Sequence, residues 1–133
     1  MRILLLFCGL SIGLSLTAQD EEVVYSADGH PVITFKNQTI DLGEITEGEE
    51  VTMQFDFINS GSDPLAIEIV TACKCTSLSW PEKPVMPNGK ASIFVKFDST
   101  GYNGEVSKVV DIISNTDPVV VEAFFKATVV RAK

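Results

Sequence analysis

The 133-residue chain carries 18 acidic against 10 basic residues, a formal net charge of -8, and Lys36, Lys74, Lys83, Lys90, Lys96, Lys108 and Lys126 are scattered singly. That balance excludes nucleic acid and anionic lipid as partners, because both call for a Lys/Arg-rich face that neutralises phosphates. The length suits one domain with a modest core, near the usual size of roughly 100 to 150 residues.

Met1-Arg2 and the uncharged apolar run from Ile3 to Leu16 are too short to span a bilayer comfortably but suit a secretory signal peptide. Ala18 is a small residue at the expected cleavage point, just before the acidic Gln19-Asp20-Glu21-Glu22. This predicts a signal peptide over 1–18 and a mature chain that starts at Gln19. Phe7 stands before Cys8, where a lipoprotein signal wants a small residue, so Cys8 belongs to the leader and leaves with it. The expected location is periplasmic or extracellular, with no integral membrane segment after cleavage. Loss of Arg2 makes the mature chain more acidic still. Residues 19–30 read as a flexible acidic lead-in with too few apolar side chains to pack firmly, and residues 31–133 as the folded domain.

Within that domain, Val32 to Phe35 and Thr39 to Leu42 are weak strand candidates. Val51, Met53, Phe55 and Phe57 then alternate with polar residues, the period of two that sends one side-chain row to a core and the other to water. The same period returns in Leu65 to Ile69, in Ala91 to Phe97 and in Val119 to Val129. Val106 to Ile113 is apolar on both faces, which predicts a strand covered on both sides. Turn residues separate the runs at Asn59-Ser60-Gly61-Ser62-Asp63-Pro64, Pro87-Asn88-Gly89, Gly101-Tyr102-Asn103-Gly104 and Asn115-Thr116-Asp117-Pro118. No helical period competes. About seven short strands in this length predict an all-β fold, an immunoglobulin-like antiparallel β-sandwich, with an all-β barrel as the alternative.

One ordered set of short segments carries a resemblance. Asp56-Phe57-Ile58-Asn59-Ser60-Gly61-Ser62-Asp63-Pro64-Leu65 is followed by Ala72-Cys73-Lys74-Cys75-Thr76, Trp80-Pro81, Pro87-Asn88-Gly89-Lys90, Phe97-Asp98-Ser99-Thr100-Gly101 and Ser114-Asn115. In this order they resemble the bacterial exported family called domain of unknown function 1573. The likeness runs from about Phe35 to Val130. It implies an immunoglobulin-like domain related in fold to the major sperm protein and ASPM-SPD2-Hydin domains, and a place in the cell envelope. No activity comes with it. The chain departs from the family pattern at Lys74, where a glycine commonly separates the cysteines, and at Asn88, which lengthens the usual Pro-Gly turn.

Cys73 and Cys75 are the two cysteines left after leader removal. They read as a local disulfide, as two buried thiols, as a redox pair, or as a two-sulfur clamp for Cu(I), too few ligands for structural zinc. In a regular strand their alpha carbons would lie ~6.5 Å apart at ~3.3 Å per residue, so a bridge requires a bend. Lys74 between them is a candidate modulator that would favour a thiolate. Trp80 reads either as a core plug above the cysteines or as a rim platform, and Tyr102, set among turn residues, as an exposed rim contact. Asp98-Ser99-Thr100-Gly101 is one residue too long for an aspartic-protease motif and has no second copy. His30 is the single histidine and lies in the lead-in, which separates it from the thiols.

These readings converge on an exported envelope module that binds or assembles without catalysis, calls for no cofactor and takes an envelope protein or glycan as partner. The alternative is a thiol protein that handles electrons or Cu(I) through Cys73 and Cys75.

Overall fold

A computed structural model describes residues 29–132; the expected signal peptide, most of the acidic lead-in and Lys133 lie outside them. Alternation becomes pairing as the sequence predicts. In β3 (Glu50–Asn59) Met53, Phe55, Phe57 and Asn59 are buried on one face, and in β6 (Lys90–Asp98) Ile93, Val95 and Phe97 match them. The two strands pair antiparallel along nine consecutive positions, from Glu50 opposite Asp98 to Ile58 opposite Lys90. With β1 (Ile33–Phe35) and β5 (Thr76–Ser79) at the edges they form a first sheet in the order β1-β3-β6-β5. The second sheet has the order β2-β8-β7-β4, from β2 (Thr39–Thr46), β8 (Val120–Val130), β7 (Gly104–Ser114) and β4 (Ile67–Thr71).

The inner faces meet in one apolar core. Phe97 of the first sheet packs at a tilt against Phe125 of the second, ring centroids 5.3 Å apart, and Val95, Ile93, Val110 and Ile112 join them in the core without exposure. The result is the expected all-β sandwich. It differs from the expectation in detail: there are eight strands among the described residues, and β2 runs parallel to β8 while every other pair is antiparallel.

Two irregularities explain where the alternation failed as a guide. β2 continues past Leu42 because a bulge between Asp41 and Glu44 changes its face. Gly43 takes a φ of 68° there and donates its amide to Asp41 Oδ1 at 2.9 Å, after which Ile45 is buried. In β4 a similar shift between Ile67 and Ile69 buries Val70 and leaves Ile69 42% exposed, whereas Leu65, expected inside the strand, is a buried isolated bridge to Val85. β5 is a strand that the pattern did not separate from its surrounding loop.

The end of the sandwich near the β3–β4 turn is tied together by Asn59, which is fully buried. Its Nδ2 donates to the carbonyls of Asp63 (2.8 Å) and Val85 (2.9 Å), and its Oδ1 accepts from the amides of Val32 (3.2 Å) and Gly61 (3.0 Å). An asparagine amide has two donor hydrogens and an oxygen that accepts twice, so all of this capacity is used. The expected cover over both faces of β7 is absent among the described residues. Val109 on its outer face is 43% exposed, and β4 pairs with it only as far as Asp111.

Candidate functional site

The cysteines sit where the chain changes sheets. β4 ends at Thr71 in one sheet and β5 begins at Thr76 in the other, so four residues make the crossing. The carbonyl of Cys73 accepts from the Thr76 amide (3.1 Å) and hydroxyl (2.7 Å), and the carbonyl of Cys75 accepts from the Asp98 amide (2.8 Å). These bonds supply the bend that a bridge requires. The alpha carbons of Cys73 and Cys75 are 5.1 Å apart, inside the ordinary disulfide range, and their sulfurs are joined. Both residues are half-buried, Cys75 packs against the core, and Lys74 between them is exposed. Bridged sulfurs carry no thiolate to offer a metal, and among the described residues no group of three or more His, Cys, Asp or Glu could hold one. Lys74 is outside the left-handed backbone region, whereas Asn88 takes a φ of 65° in its lengthened turn. The glycine that resembling sequences carry between the cysteines is therefore not needed here for its backbone freedom.

The two aromatic candidates share an inward role. Trp80 is half-buried and packs against the core. Tyr102, expected as an exposed rim contact, is also half-buried: its ring tilts onto Phe97, centroids 5.5 Å apart, and Lys108 Nζ lies 5.0 Å from its centroid. The cause is Lys108, which stands between Val106 and Val110 on the inward row of β7 and needs cover for its charge. The Tyr102 ring face supplies that cover. The sequence did contain this signal, as a lysine interrupting an alternating valine row. Asp98-Ser99-Thr100-Gly101 is a turn: Asp98 Oδ1 accepts from the Thr100 amide and hydroxyl, which holds its carboxyl below the usual aspartate range. Buried Ser99 Oγ donates to the carbonyls of Thr46 and Glu49.

A second site lies on the outer face of the first sheet, where the polar half of each alternation had read only as wet surface. Register aligns Thr34, Ile58 and Lys90 in one cross-strand row. The next holds Asp56 and Ser92, extended by Lys36, whose amide bonds to the Asp56 carbonyl. A third aligns Gln54, Phe94 and Ser79. A shallow trough of about 580 Å³ runs over the first two rows. Two of its polar groups, Asp56 and Ser92, are tied together: Gln54 Nε2 and Ser92 Oγ each donate to Asp56 Oδ1 at 2.6 Å, and Gln54 Nε2 also reaches Ser92 Oγ at 3.0 Å. The Ser92 and Gln54 bonds, with help from the field of Lys36, hold the Asp56 carboxyl below the usual aspartate range. The site was missed because its members are three strands apart in sequence.

The sequence matches the family described as "Protein of unknown function (DUF1573)" over residues 33–129. No curated protein matches the chain. Among solved structures it is similar to a protein of unknown function from Porphyromonas gingivalis W83, with a TM-score of 0.66, 19% identity, and coverage of 77% of this chain and 49% of that one. It is also similar to the VesB protease of Vibrio cholerae (TM-score 0.56, 15% identity, 75% of this chain and 31% of that one). A third likeness is to PapD-like domain 7 of human CEP192 (TM-score 0.58, 10% identity, 76% and 87%). The chain thus spans about half of the Porphyromonas protein and under a third of the protease. At these identities the likeness shows the fold alone, a PapD-like and immunoglobulin-like sandwich.

Proposed function

The chain belongs to the DUF1573 family, and from that premise we propose that it is an exported, non-enzymatic binding or assembly module of the cell envelope. The observation that carries this reading is the outer face of the first sheet. There an open trough carries Asp56 and Ser92, which strand pairing and the Gln54–Asp56–Ser92 bonds already hold in place. Groups fixed before binding lose little entropy when a ligand arrives, which is the property a recognition surface needs. Export fits the apolar leader and a disulfide in an oxidising compartment. The test is retention of envelope proteins and glycans on immobilised mature protein. Wild type should retain a ligand that Ser92→Arg, which fills the trough, does not. Equal retention by both would remove the face from the reading.

The half-exposed bridge in the sheet crossing favours a second reading, thiol–disulfide exchange. A partner dithiol would supply the electrons: its thiolate attacks one sulfur and forms a mixed disulfide, and the other sulfur leaves as a thiolate that takes a proton. The partner's second thiol then resolves the mixed disulfide, leaving Cys73 and Cys75 reduced and the partner oxidised. Thiol titration with and without reductant, repeated after Cu(I) addition, tests this. Two thiols that appear only after mild reduction and reoxidise readily support exchange; retention of Cu(I) by the reduced pair supports metal handling.

A further inference from the structure

Lys96 is paired with Glu50 and Lys126 with Asp41, but Lys36 and Lys90 enter no ion pair among the described residues. In a chain of net charge -8, these two ammonium groups stand at opposite corners of the trough on the first sheet. Between them lies Asp56, and the bonds from Ser92 and Gln54 both end on its Oδ1. Its Oδ2 takes no protein hydrogen bond among the described residues and faces the open trough. Phe94, 43% exposed, stands in the adjacent row beside this pair, and half-buried Ile58 lies on the other side.

Resting on the binding-module reading, we infer that this trough binds an acidic saccharide. Lys36 and Lys90, at their separate corners, hold carboxylates of successive residues, Asp56 and Ser92 between them take hydroxyls, and Phe94 and Ile58 meet the apolar face of its rings. Each element selects this class. A bare phosphate or sulfate has no sugar hydroxyls for Asp56 and no apolar face for Phe94 and Ile58. A neutral sugar would satisfy Asp56 but leave two ammonium groups unused. A chain of uronic acid residues carries carboxylates for the two lysines and, between them, hydroxyl donors for Asp56, with C–H faces that lie against an aromatic side chain. The volume of about 580 Å³ lies within the range of small-ligand clefts, roughly 300 to 1,000 Å³. The open, strand-built shape suits a chain lying across the sheet.

The experiment titrates the mature protein with tetragalacturonate, a hyaluronan tetrasaccharide and an alginate tetrasaccharide, with maltotetraose as the neutral control. Binding is followed by amide chemical shifts and calorimetry. At least one acidic probe should shift amides of residues 34–36, 54–58 and 90–94, bind more weakly as salt rises, and lose about tenfold in affinity in Lys36→Ala/Lys90→Ala, within the range for two exposed charge pairs. The variant's remaining spectrum checks that it is folded. Equal binding of maltotetraose, binding unaffected by the double variant, or shifts elsewhere on the molecule would overturn the inference. Silence toward all four saccharides would overturn it too. If trough-dependent retention of an envelope protein accompanied that silence, the binding-module reading would stand while the saccharide fell; if nothing were retained, both would fall.

Discussion

Asp56 shows how a polar residue on an exposed strand face becomes specific. Its carboxyl is held below the usual aspartate range by Ser92 first, then by Gln54, with a smaller contribution from Lys36. A carboxylate depressed in the folded state contributes stability that is complete above its unfolded value, about 3.9, and is lost as pH falls through the lower folded value. Carboxyl carbon NMR should therefore place Asp56 below the usual aspartate value. Ser92→Ala should move it upward; an unchanged titration would mean that the Ser92 bond does not hold in solution. The cysteines make a second prediction at this scale. A bridge between residues two apart closes so short a loop that chain entropy gives only about 1.6 kcal/mol. Replacing both with serine should lower the unfolding free energy by no more than about 1 to 3 kcal/mol in urea denaturation. A larger loss would make the crossing a principal staple of the fold. The residues Cys73, Lys74 and Cys75 could be picked out in the sequence because they are adjacent. Asp56, Ser92 and Lys36 could not, because only strand register makes them neighbours.

Among the elements, the end of the sandwich depends on one side chain. Asn59 closes β3, and its amide joins the segment entering β1, the turn after β3 and the bridge at Val85. Asn59→Ala would take that partner from four backbone groups, of which the carbonyls of Asp63 and Val85 belong to buried residues and the amides of Val32 and Gly61 are part-buried. We expect a loss of about 3 to 4 kcal/mol, with the amides of Val32 and Gly61 among the first to gain hydrogen exchange. A loss below about 1 kcal/mol would mean that water replaces the amide. The core strands β3, β6 and β8 were legible because alternating apolar residues on a paired strand have one arrangement that buries them. β2 and β4 were legible only up to their bulges. At Gly43 and at Glu68 an extra residue turns the strand over, and a pattern read with a fixed period of two then assigns every later residue to the wrong face. β5 is four residues long, and three of them are Thr or Ser, so its assignment rests on pairing with β6 rather than on its own pattern.

For the molecule as a whole, mass spectrometry of protein expressed in a bacterial host is expected to find Gln19 at the mature N-terminus. Retention of residues 1–18 would remove the signal peptide and, with it, the argument for an oxidising compartment. No helix among the described residues is long and apolar enough to cross a membrane. The sequence by itself determined the all-β class and the family likeness and favoured a sandwich over a barrel, because burial of alternating side chains and turn chemistry are local properties. It also singled out the Cys73-Lys74-Cys75 run. The tertiary structure alone decided that β2 lies parallel to β8, that Tyr102 turns inward to cover Lys108, and that four residues carry the cysteines from one sheet to the other. It also gathered Lys36, Asp56, Lys90 and Ser92 around a single trough. The physical reason is common to all of these. Each depends on which strand lies beside which, and long-range pairing reflects the packing of the complete core, which no short window of sequence contains.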